Sequence, residues 1–66
     1  MIVRKIIHGK FIYYLQDKEK MRNSGGWNGL ITNATDYPID EAKELVEILK
    51  HFYPNDNFDS IHSNLN

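Results

Sequence analysis

Between Pro38 and Pro54, the only two prolines of the chain, the apolar residues take up a helical period. Ala42, Leu45, Val46, Leu49, Phe52 and Tyr53 fall at i, i+3, i+4, i+7, i+10 and i+11, which makes a single stripe. Asp40, Glu41, Lys43, Glu44, Glu47 and Lys50 occupy the other faces. Acidic residues crowd the first turns, and Lys50 and His51 stand near the end, the arrangement the helix dipole favours. The spacing predicts an amphipathic helix from Ile39 to Tyr53. A lone helix of this kind needs a sheet to lie on.

The first third of the chain supplies one. Ile2 to His8 is β-branched and short, and Lys10 to Gln16 is rich in aromatics; both read as strands. Gly9-Lys10 reads as the tight turn between them. Cross-strand partners then sum to 19, so Ile6 faces Tyr13, His8 faces Phe11 and Arg4 faces Leu15 on one surface. Ile7 with Ile12, Lys5 with Tyr14 and Val3 with Gln16 share the other. Residues 30–35 read as a third strand, entered through the strong turn signal Asn28-Gly29.

The expected fold is therefore α+β: a small three-stranded antiparallel sheet in the order β-β-β-α, with the helix on one face. The expected core is Ile6, Phe11, Tyr13, Leu15, Leu30 or Ile31, Ala42, Leu45, Val46, Leu49 and Phe52. The face with Ile7, Ile12 and Tyr14 is the second choice for the helix to cover. Residues 1–53 form the domain. Residues 54–66 form a polar tail in which Phe58, Ile61 and Leu65, at i, i+3 and i+7, suggest a short helix.

A chain of 66 residues is one small domain, which buries only about 60% of its unfolded surface. It has no cysteine, so neither a disulfide nor a thiolate metal site can reinforce it. No run approaches the roughly 20 apolar residues of a membrane span, and residues 1–9 have charges inside their apolar run and no small-residue cleavage site, so they do not read as a signal peptide. A cytoplasmic protein with no membrane partner is the expectation.

The net charge of −1 hides a division. Residues 1–35 hold six basic residues against two acidic ones, and residues 36–66 hold seven acidic against two basic. Such asymmetry hints at an electrostatic partner, or at two halves that attract each other on folding.

Little in the sequence points to catalysis. His8, His51 and His62 have no metal-ligand spacing, and no metal or cofactor is expected. Ser24, Ser60 and Ser63 lie outside the strand-turn-helix settings that expose a nucleophile. The glycine-rich stretch Asn23-Ser24-Gly25-Gly26-Trp27-Asn28-Gly29-Leu30 matches neither phosphate-binding spacing. Trp27, held there between two bends, lies against the sheet or the helix in one reading and is an exposed binding tip in the other. The first is favoured, because tryptophan is buried on average.

Two kinds of binding remain. The carboxylates Asp40, Glu41, Glu44 and Glu47 present negative charge at fixed spacing, and Trp27 and Tyr14 are typical interface anchors. These six are the candidate partner-binding residues. The alternative is single-stranded nucleic acid, bound by Lys10, Lys18, Lys20 and Arg22 beside the aromatic residues of the hairpin. Against it stand the slightly negative charge and the acidic helix. A homodimer with structural duties is a third reading.

Gly25-Gly26-Trp27, Ala34-Thr35-Asp36-Tyr37 and Glu41-Ala42-Lys43-Glu44-Leu45 together resemble a group of uncharacterised small proteins encoded by phages and prophages of low-GC Gram-positive bacteria. The resemblance covers about residues 10–52. It implies a non-enzymatic protein that inhibits or modulates a host protein, such as an anti-CRISPR inhibitor of a defence nuclease. No site residue carries over from it.

Overall fold

The computed structural model describes residues 1–63. Strands β1 (Ile2–Ile7), β2 (Phe11–Leu15), β3 (Trp27–Asn28) and β4 (Asn57–Ile61) form an antiparallel sheet of four strands in the order β3-β2-β1-β4. Helix α1 (Ile39–Phe52) lies along β4 and β1. The class is α+β with one helix, as expected, but the sheet gains a strand and the third strand moves.

The added strand comes from the tail. After α1, the Asp56 N–H donates to the Tyr53 carbonyl at 3.1 Å, turning the chain at Pro54 back along β1. Phe58 then pairs with Lys5 and Asp59 with Arg4. A strand sends Phe58 and Ile61 to opposite faces, whereas the expected helix would have put them on one. Asn, Asp and Ser hold helices poorly, and the open edge of β1 offers this segment a full backbone ladder. Leu65, the last residue of the expected helical stripe, lies outside the described residues. Arg4 secures the pairing, its Nε and Nη2 donating to the two carboxylate oxygens of Asp59 at 2.7 and 2.5 Å.

The hairpin turn is displaced by one residue. His8 and Gly9, with φ of 56° and 70°, occupy the turn, and the Lys10 N–H closes it on the Ile7 carbonyl at 3.2 Å. Positive φ at both central residues marks the mirror-image turn that suits the twist of a hairpin. Lys10 is an extra residue before the ladder resumes, so partners sum to 18, with Arg4 opposite Tyr14 and Ile7 opposite Phe11. The slip by one regroups the faces. Val3, Lys5 and Ile7 now share a face with Phe11, Tyr13 and Leu15, and this is the face α1 covers.

The buried cluster is Val3, Leu15, Trp27, Tyr37, Ala42, Leu45, Val46, Leu49 and Phe58. Five expected core residues are correct: Leu15, Ala42, Leu45, Val46 and Leu49. Phe11, Tyr13, Leu30 and Phe52 are instead exposed, and Ile6 and Ile31 are only partly buried. The far end of the hairpin extends past the cover of the helix, which explains Phe11 and Tyr13. Residues 30–35 do not form a strand because Asn28 ends the sheet locally. Its side-chain oxygen accepts the Leu30 N–H at 2.8 Å, an Asx turn that draws the chain away. A 3-10 turn over Ile31–Asn33 follows. The chain then crosses the end of the sheet, where the Thr35 N–H bonds the Leu15 carbonyl at 3.1 Å and the Tyr37 N–H bonds the Met1 carbonyl at 2.8 Å.

Gly26 explains the glycine-rich stretch. A Cβ there would lie 2.2 Å from the Lys20 carbonyl oxygen and 2.9 Å from that of Asp17. Its own carbonyl accepts the Gln16 and Asp17 N–H groups at 2.8 and 3.2 Å. Gly25 and Gly29 have open space where a Cβ would go.

Two stability predictions follow from these contacts. Gly26→Ala should cost about 2 kcal/mol or more in urea denaturation and red-shift the Trp27 emission, while Gly29→Ala should stay within about 0.5 kcal/mol of the parent. In a double-mutant cycle, Arg4→Ala and Asp59→Ala should show a coupling of about 0.5–1 kcal/mol, because the pair is bidentate and only partly solvated.

Candidate functional site

On the helix-covered face, neighbouring strands line up in rows. Phe58 of β4, Lys5 of β1 and Tyr13 of β2 form one row. Leu15 and Trp27 belong to the row before it, and Ile7 and Phe11 to the row after. Lys5 is thus a cation set into the apolar face at the point where helix cover gives out.

Trp27 is fixed from two sides. Its indole Nε1–H donates to the Met21 carbonyl at 2.8 Å, which satisfies the one polar atom of the ring. Its ring meets Phe58 at a centroid distance of 6.1 Å. Only 8% of the residue is exposed, so it is no binding tip. The Lys5 ammonium lies 4.6 Å from the centroid of Trp27 and 5.9 Å from that of Tyr13. Both distances fall within the range of cation–π attraction.

Clefts open on either side of the Lys5–Trp27 contact. One, of about 150 Å³, is walled by Met21, Arg22, Leu49, Tyr53 and Asp56. The other, of about 420 Å³, is shallower and is bordered by Ile7, Tyr13, Asn28 and Gly29. Burial holds the Lys5 pKa below the usual 10.5 of a lysine, and Asp56 offsets this only in part through space. None of the ion pairs among the described residues uses the Lys5 ammonium.

The expected partner-binding residues do not converge. Asp40, Glu44 and Glu47 are exposed on the outer side of α1, and Glu41 is drawn to Lys18 in an ion pair. Tyr14 lies on the opposite face of the sheet, in the row of Arg4 and Asn28. Trp27 belongs to the core.

The basic set is divided as well. Lys10 borders the hairpin turn, 5.8 Å from the centroid of Phe11. Lys18 is committed to Glu41, and the Arg22 guanidinium stacks 3.8 Å from the centroid of Phe52 at the end of α1. Lys20 is exposed, and its backbone packs on Gly26.

Sequence reasoning missed Lys5, Ile7, Tyr13 and Phe11 as a group. The missing signal was the turn. With His8-Gly9 at its centre and Lys10 as an extra residue after it, partners sum to 18 and Lys5 falls opposite Tyr13, a register that the turn residues alone do not announce.

No family model, curated protein or solved structure matches the chain. Among the described residues, no three His, Asp or Glu side chains are placed so that they could hold a metal ion, and no helix is long and apolar enough to cross a membrane.

Lys5 has a testable linkage. A lysine whose folded pKa is depressed binds fewer protons folded than unfolded in the window between the two values. Stability therefore rises with pH from the folded pKa up to 10.5. The parent should gain stability relative to Lys5→Met over this window, read as a urea midpoint difference that rises as the pH approaches 10.5.

Proposed function

We propose that this chain is a non-enzymatic protein that binds and modulates a second protein. The observation that carries the reading is the far end of the hairpin, where Phe11, Ile12 and Tyr13 are 52%, 38% and 36% exposed. Aromatic side chains on a rigid strand are good interface anchors, because little entropy is lost in holding them. The exposed carboxylates Asp40, Glu44 and Glu47 add a second, electrostatic surface that steers a basic partner. The larger cleft, of about 420 Å³, carries Lys5 as its one charged side chain among the described residues and no acid–base pair. The more enclosed one, at about 150 Å³, falls below the few hundred Å³ usual for substrate pockets.

The resemblance to phage-encoded proteins gives this reading a specific form, an inhibitor of a bacterial defence nuclease such as an anti-CRISPR protein. A single-stranded nucleic-acid binder is the second reading, favoured by Lys10 beside Phe11. The division of the basic residues between the hairpin and the end of α1 weighs against it, since phosphate contacts need a continuous basic track.

The test is affinity capture from a Gram-positive bacterial lysate, repeated with surface variants. Phe11→Glu with Tyr13→Glu should keep the circular dichroism spectrum and reduce recovery of the captured protein at least tenfold. Capture that is indifferent both to this variant and to charge reversal at Asp40, Glu44 and Glu47 would refute the reading.

A further inference from the structure

We propose that the cleft between the β1–β2 hairpin and residues 24–29 receives a carboxylate of a partner protein that stands next to an apolar side chain, with the Lys5 ammonium as its counter-ion. The inference rests on the protein-binding reading and names the chemistry of the partner.

Charge complementarity is the first argument. Among the described residues, Lys5 is the only charged one bordering this cleft of about 420 Å³, and no carboxylate borders it. The ammonium is partly desolvated, is offset only in part and through space by Asp56 of the neighbouring cleft, and has no ion pair among the described residues. Ring faces supply only part of what water would, so an incoming carboxylate meets an under-compensated cation in a medium less polar than water.

The walls give the second argument. Ile7, Tyr13 and Trp27 offer apolar surface around the ammonium. Phe11, on the same face and 52% exposed, extends that surface outward, and Lys10 beside its ring repeats the pairing of cation and aromatic. An occupant that matches this strip is apolar and acidic.

The same strip suits nucleic acid less well. Stacked bases need open ring faces, and here lysines lie over Trp27, Tyr13 and Phe11. The net charge of −1 and the acidic helix add repulsion of phosphates.

N-acetylphenylalanine, an anion, and its neutral amide separate the two contributions. Trp27 fluorescence and the NMR shift of the Lys5 ammonium would follow both titrations. The acid should bind saturably with a Kd of about a millimolar, and the amide at least tenfold more weakly. Lys5→Met should lower affinity for the acid about tenfold and leave the amide unchanged.

Equal binding of acid and amide, no binding of the acid, or undiminished binding to Lys5→Met would overturn the proposal. So would an oligothymidine that displaces the acid and itself depends on Lys5. If Lys5→Met does not fold, the comparison of acid with amide on the parent protein decides alone. Partner capture that survives while the acid fails to bind would remove the cleft proposal and leave the protein-binding reading standing.

Discussion

The approach of Gly26 to the Asp17–Lys20 turn fixes the path of the chain where the end of β2 meets the loop that follows it. Backbone lies against backbone there, with no side chain between, and the Gly26 carbonyl takes both the Gln16 and Asp17 N–H groups. The next residue is Trp27, which consequently enters the core beside Leu15 rather than standing on a loop tip. Its indole N–H then secures the Met21 carbonyl, and the loop between β2 and β3 closes on itself. The largest apolar side chain therefore sits in a glycine-rich segment for a steric reason. Only glycine allows the crossing that delivers the tryptophan.

How legible this was depended on the range of the interactions. The helix could be read almost to the residue, because its period, its bracketing prolines and its end charges all lie within the segment. The hairpin was legible in existence but not in register. His8 takes positive φ beside Gly9, which histidine tolerates better than most residues, but the strong hairpin signals are Asn-Gly and Asp-Gly rather than His-Gly. Strand β4 was hidden because its stabilisation is not local. Asn57–Ile61 has a weak pattern of its own and becomes a strand against β1, aided by the Arg4–Asp59 pair. Residues 30–35 misled in the opposite sense, since their β-branched side chains signal a strand that the Asn28 side chain pre-empts.

The candidate site was less legible than the fold for the same physical reason. Lys5 looks like an ordinary polar interruption of a strand until the register places it between Phe58 and Tyr13. The acidic residues of α1 were easy to see, yet ease of detection says little about use. Glu41 is engaged by Lys18, and the others form the solvated side that any amphipathic helix on a sheet must have.

A domain this small cannot cover both strands of its hairpin over their full length. Helix α1 lies along β4 and β1, and β3 pairs β2 only at Tyr14 and Leu15, so Phe11, Ile12 and Tyr13 are left beyond both supports. A bare aromatic edge of this kind is a liability for self-association. Lys5 and Lys10 reduce it, since an ammonium over a ring keeps water and charge near surface that would otherwise be sticky. The protection is weak, on the order of 1 kcal/mol per contact, and it is selective. An apolar group alone gains little by displacing the lysines, whereas an apolar group that brings a carboxylate can keep them in place and use them. On the proposed reading, the lysines that border this edge are thus also the ones that would decide what it binds.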